Sequence, residues 1–150
     1  MNAKKLLESL KTQELNLDNL YNVLVEQKQA IVKNDISALE KAILIEQRIL
    51  QIIENEERAR IKEVEEIAKF YSLELKGNKL DDLLDKGKNY LGPELKELRK
   101  VRISLRNKLK NLLSINSVLK DVIDFSKNMI KETMFLLAGP NKRLFVNRKV

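Results

Sequence analysis

Every glycine and proline in the chain falls in one of two short places. Gly77, Gly87, Gly92 and Pro93 cluster between residues 77 and 93, and Gly139 and Pro140 stand together near the C-terminal end. Residues 1–76 and 94–138 contain neither type. Breaker-free stretches of that length, rich in Leu, Ile, Lys and Glu, are suited to long helices rather than to a sheet. With 150 residues, the chain is long enough to bury a real core.

The apolar spacing agrees. From about Asn2 to Lys33, the residues Leu6, Leu10, Leu17, Leu20, Leu24 and Ile31 fall on one helix face if Gln13 and Gln27 or Lys28 fill the gaps. The break comes at KNDIS, residues 33–37. Asn34 suits the left-handed conformation that ends a helix, and Asp35 can cap the amides of the next one. So short a connection folds two helices back as an antiparallel hairpin. The second helix is expected over 36–71, with a seam of Leu39, Ile43, Leu50, Ile53, Val64, Ile67 and Tyr71 interrupted by Glu46, Glu57 and Arg60.

Residues 72–93 read as a connector. Within it LDDLLDKG, residues 80–87, can form a short helix stopped by Gly87. Pro93 suits the first turn of a third helix over 94–137. That helix would run roughly 65 Å against roughly 54 Å for the second, so one of its ends outruns its neighbours. The expected fold is all-α: an elongated antiparallel helical hairpin or three-helix bundle with coiled-coil-like packing. One domain spans 1–137, and a flexible basic tail covers 138–150.

Charge is unevenly placed in a chain of net charge +7. Residues 34–75 carry ten carboxylates against six cations, and residues 94–137 carry ten cations against five carboxylates. An acidic second helix antiparallel to a basic third favours that pairing over self-pairing of either. Arg99, Arg102, Arg106 and Lys110 form a basic stripe at helical spacing. It suits phosphate binding or, as the plainer alternative, a face paired with the acidic helix. No aromatic residues interleave with it to stack bases.

Catalysis finds little support. The chain has no His and no Cys, hence no imidazole base, thiolate or disulfide. Phosphate-loop, dinucleotide and zinc-protease motifs are all missing. Glu65 and Glu66 are adjacent on a helix and point about 100° apart, which suits a solvated face better than a paired acid site. No enzyme, cofactor or metal is expected. Neither a signal-type apolar run nor about 18 consecutive apolar residues occurs, so the expected location is the cytoplasm without membrane insertion.

The stretch INSVLKDVIDFSKNMIKETMFLL, residues 115–137, holds more apolar surface than one core seam requires. One seam can be drawn through Leu112, Asn116, Leu119, Ile123, Ser126, Ile130 and Leu137. A second, offset by one residue, runs through Val118, Val122, Phe125, Met129 and Leu136. A helix touching two neighbours in a bundle needs a broad apolar arc. The alternative is that the outer seam receives an amphipathic helix from another protein, for which aromatic and flexible side chains are suited. Asn116, polar in an apolar seam, would fix register in either case.

The residues also resemble a known family, the FlgN-type flagellar export chaperones. The resemblance lies in QELNLDNLYNVLVEQKQAIVKNDISALEKAI (13–43) with its KNDISALE turn, and in the acidic second helix with its polar run ENEERAR (54–60). It extends to the third helix with Asn116 followed by apolar positions, and to a Gly-bearing tail ending RLFVNRKV. It implies a cytoplasmic chaperone that binds hook–filament junction proteins and keeps their terminal helices from associating early. Such a chaperone delivers its clients to the flagellar type III export apparatus. It further implies client binding on the C-terminal amphipathic part, here Val118, Val122, Phe125, Met129 and Leu136. The chain departs from the pattern after the third helix, where AGPNKRLFVN carries Gly139 but no Tyr, leaving Phe145 as the aromatic candidate for docking to the export gate. A coiled-coil scaffold that self-assembles into a homo-oligomer and a basic helical nucleic-acid binder are the competing functions.

Overall fold

The computed structural model describes residues 2–77 and 79–138, and within the helices all side chains but those of residues 2, 126, 129, 130, 133, 134, 137 and 138. Four helices follow one another: α1 (Asn2–Val32), α2 (Ile36–Phe70), α3 (Lys79–Lys86) and α4 (Glu94–Ala138). Among the described residues there is no strand. The architecture is an all-α bundle, as the spacing predicts. The expected basic tail, Phe145 included, lies outside the described residues beyond Ala138.

Two residues make the hairpin between α1 and α2. Asn34 adopts a positive φ of 55°. The Asp35 amide then donates back to the Ala30 carbonyl at 2.8 Å, closing the last turn of α1. The Asp35 carboxylate in turn accepts from the Ala38 amide at 3.0 Å and caps α2. Ser72 repeats the device at the other end of α2, with φ 55° and the Leu73 amide on the Ala68 carbonyl at 2.8 Å.

Side-chain pairs fix the register. Ser104 of α4 donates to Glu14 of α1 at 2.6 Å, and Lys108 donates to Asp18 at 2.7 Å. Both pairs are 90 residues apart in sequence, so α1 and α4 run parallel at a constant offset. Against α2 the order reverses: Gln13 meets Glu57 and Gln27 meets Glu46, so α2 is antiparallel to α1. Helix α1 therefore lies between the other two long helices. Among the described residues α2 and α4 do not pack directly on each other. The pairing of an acidic with a basic helix expected from charge is thus replaced by a trough between them, with α1 as its floor. The physical reason is that α1 supplies apolar surface to both neighbours, which outweighs surface ion pairing.

The seam of α1 is the expected one. Leu6, Leu10, Leu17, Leu20 and Leu24 are buried, and Gln13 and Gln27 fill the two gaps. Those glutamines are buried opposite the two carboxylates that interrupt the α2 seam, so each amide donates to a carboxylate instead of facing hydrocarbon. On α2 the inward line is Ala42, Ile49, Ile53, Val64 and Ile67, whereas Ile43 and Leu50 turn outward at 37% and 46% exposure.

The region read as a connector is part of the core. Leu80, Leu83 and Leu84 of α3 and Leu91 after it are buried with Leu6, Val64, Ile67, Leu98 and Val101. Gly87 does follow α3, but for closeness rather than handedness. Its amide donates to the Leu83 carbonyl at 2.7 Å, and a Cβ there would stand 2.7 Å from that same oxygen. Tyr71 stacks on Tyr90 with ring centroids 4.9 Å apart, tying the end of α2 to the segment before α4.

Candidate partner-binding face

The offset of 90 places Val32, the last residue of α1, level with Val122 of α4. Helix α4 continues to Ala138, roughly 24 Å farther. Among the described residues no buried side chain occurs on α4 beyond Leu119.

Where α1 stops, a shallow cavity opens, lined by Ile31, Val32, Val118, Asp121, Val122 and Phe125. Three of the five outer-seam residues meet here. Val118 is 40% exposed, Phe125 is 65% exposed, and Val122 is half-buried. Leu136, three turns farther along, is 85% exposed. The side chain of Met129 lies outside the described residues. Ile31 and Val32, from α1, complete the apolar rim. Val32, one residue past the α1 seam, is 68% exposed, and the spacing alone gives no sign of it.

The inner seam differs from the expected one. Leu112, Ile115 and Leu119 are buried, whereas Asn116 is exposed and Ile123 is 36% exposed. The line Leu112–Ile115–Leu119–Val122 keeps steps of three and four with apolar residues throughout, so no buried amide is needed. Asn116 fixes no register in this bundle. Val122 thereby sits at the junction of the inner seam and the outer face.

Electrostatics around the bundle follow specific pairs. Two residues of the basic stripe are engaged, though not by α2: Arg102 and Arg106 donate to Asp81 of α3 at 3.1 and 3.2 Å. Lys79 of α3 donates to Glu65 of α2 at 2.7 Å. Glu57 accepts from Arg60 and from Gln13, and the Arg60 hydrogen bond holds its carboxyl below the ordinary value of 4.5 despite partial burial. The Asp18 carboxylate raises the Lys108 ammonium above its usual range. Among the described residues no cluster of acidic side chains is placed to hold a metal ion, and no helix is long and apolar enough to cross a membrane.

A family model described as FlgN protein matches residues 1–146. The chain belongs to the FlgN family. The family is one of flagellar export chaperones. No curated protein and no solved structure matches the chain.

Proposed function

We propose that this FlgN-family chain is a cytoplasmic chaperone for hook–filament junction proteins. It receives their terminal amphipathic helices on the outer seam of α4 and the end of α1. Val118, Val122, Phe125, Met129 and Leu136 form the receiving line, with Ile31 and Val32 beside it. The observation that carries the reading is that α4 outlasts the helix it packs on, leaving Phe125 and Leu136 in water.

The physical chemistry suits a carrier. Each large apolar side chain covered contributes about 1.5–3 kcal/mol. A client segment that is disordered alone gives up about 2–5 kcal/mol or more in ordering. A few such side chains therefore leave a moderate affinity, which protects the client stripe from premature association and still permits handover to the flagellar type III export apparatus.

Co-purification with the terminal segments of hook-junction proteins from the same genome tests this. Complex mass is read by light scattering at low and moderate salt. A stoichiometric complex that survives moderate salt and disappears on truncation after Asp124 is the expected result. A discrete homo-oligomer with no complex would return the outer seam to a self-assembling scaffold.

A further inference from the structure

The apolar core is interrupted at one level of the bundle. Two separate clusters of buried residues form it, one around Leu10, Leu80 and Leu98, the other around Leu17, Leu20 and Leu112. Between Leu10 and Leu17 the inward position of α1 is Gln13, which is only 6% exposed. Leu105 of α4 packs against both clusters and is itself only partly buried. At this break lies a cavity of about 360 Å³, with Leu10, Leu17, Ile53 and Leu109 among its walls. Its volume falls in the range of small-molecule sites, about 300–1,000 Å³.

The polar side chains that line the cavity are Gln13, Glu57, Arg60, Asp81, Arg102 and Arg106. Glu57 accepts from Arg60 and Gln13, and Asp81 accepts from Arg102 and Arg106. Both carboxylates are thus compensated, and three guanidinium groups against two carboxylates leave one positive charge in excess. Two hydrogen-bonding atoms of the lining are left over. The Nε of Arg102 is buried and donates to no group of the chain, and the Oε1 of Gln13 is buried and accepts from none. A buried guanidinium N–H is best matched by an anion, and a buried amide oxygen by a hydroxyl or N–H. Water can serve either atom. It neither balances the excess charge nor covers the leucine wall, where Leu109 is 51% exposed.

We propose that this cavity binds a small amphiphilic anion, a medium-chain hydroxycarboxylate. The carboxylate accepts from the Nε–H of Arg102 and balances the excess charge. The hydroxyl donates to the Oε1 of Gln13. The alkyl chain lies along Leu10, Leu17 and Leu109 and joins the two halves of the core. Arginine suits this task because its planar fork can hold Asp81 and a second carboxylate at once. A ligand seated there touches α1, α2, α3 and α4 together, so it stabilises the bundle at the level where its own packing stops.

The probe is 3-hydroxydecanoate, kept below its micelle concentration and titrated into the full chain. Binding is followed by the backbone amide and arginine Nε–H resonances. The Arg102 Nε–H and the amides around Gln13 and Leu105 are expected to shift and saturate. Two controls divide the recognition: 1-decanol lacks the charge and decanoate lacks the hydroxyl. The first is expected to bind at least about tenfold more weakly and the second at least about threefold. Leu109→Glu puts a carboxylate on the wall at a half-exposed position and is expected to weaken binding at least about tenfold, with helicity checked by circular dichroism. Arg106→Gln, at a side chain 57% exposed, removes the excess charge and is expected to weaken it at least about threefold; it carries the test if Leu109→Glu does not fold. Phe125→Asp should leave the affinity unchanged. No saturable shift, equal affinity for either control, or unchanged affinity in the folded cavity variants would overturn the proposal. So would shifts confined to Val118, Val122 and Phe125, which would mean adventitious binding of the alkyl chain to the outer seam. The client complex is a separate readout, so either proposal can fail without the other.

Discussion

The two ends of the bundle are built from the same three long helices, yet they are covered differently. At the base, beside α3, Leu6, Leu10, Val64, Leu83, Leu84 and Leu98 have no exposed surface. Toward the tip, Leu17, Leu20, Leu112, Ile115 and Leu119 each keep 7–9%, and Leu50, Leu109 and Leu113 beside them stand largely in water. What differs is the eight-residue α3. Three helices in a row, with α1 in the middle, cannot close around their own apolar surface. A fourth helical element closes it where the chain provides one. Farther along, none is present among the described residues, and past Val32 α4 loses α1 as well. That gradient from closed to open is what the proposed carrier role requires.

The largest effect that could break the comparison is at the base. Leu83→Ala should cost about 2–5 kcal/mol in denaturant unfolding, because the site is fully enclosed. Leu113→Ala should stay within about 0.5 kcal/mol of wild type. Equal costs would mean that the tip is covered in solution.

Phe125→Asp sharpens the functional half of the comparison. It should leave the melting temperature near wild type and weaken client binding at least about tenfold, read by titration calorimetry. Unfolding of this variant would place Phe125 in the core. A smaller effect is expected at the hairpin, where Asp35→Ala should cost about 1 kcal/mol through loss of the α2 cap, measured by thermal melts.

The smallest effect concerns pH. The Glu57 carboxyl is depressed in the folded chain, so its contribution is present above pH 4.5 and is lost as pH falls through the lowered value. Its side chain is 42% exposed, which screens the pair, so the contribution is about 0.5 kcal/mol or less. In Glu57→Gln, the change in unfolding free energy between pH 3 and 6 should be smaller than in wild type by about 0.5 kcal/mol or less.

Much of this was legible in the residues. The α1 seam, its two glutamine gaps and the Asn34–Asp35 hairpin follow from spacing and local backbone chemistry, which a single segment contains. The partners of those gaps were not legible, because Gln13 meets Glu57 only once α2 has folded back. Helix α4 was harder. Apolar residues at 115, 118, 119, 122 and 123 permit two threads of three- and four-residue steps, and only the position of α1 selects the one through Ile115 and Val122. Residues 72–93 read as a connector because they hold three of the four glycines and one of the two prolines. The burial of Leu83 and Leu84 depends on three other helices that arrive from distant sequence. The overhang of α4 was visible from relative helix lengths alone. Which of its side chains meet Ile31 and Val32 needed the parallel register with α1.

The measurement that tests the account most directly is hydrogen exchange along the chain, alone and with a client terminal segment. In the free chain, amides of α4 beyond Leu119 should exchange faster than those of its first half. Adding the client should slow residues 118–136 and leave the base around Leu83 and Leu98 unchanged. Slow exchange over 118–136 in the free chain, or no change there when the client binds, would contradict the assignment of the uncovered end of α4 as the receiving face.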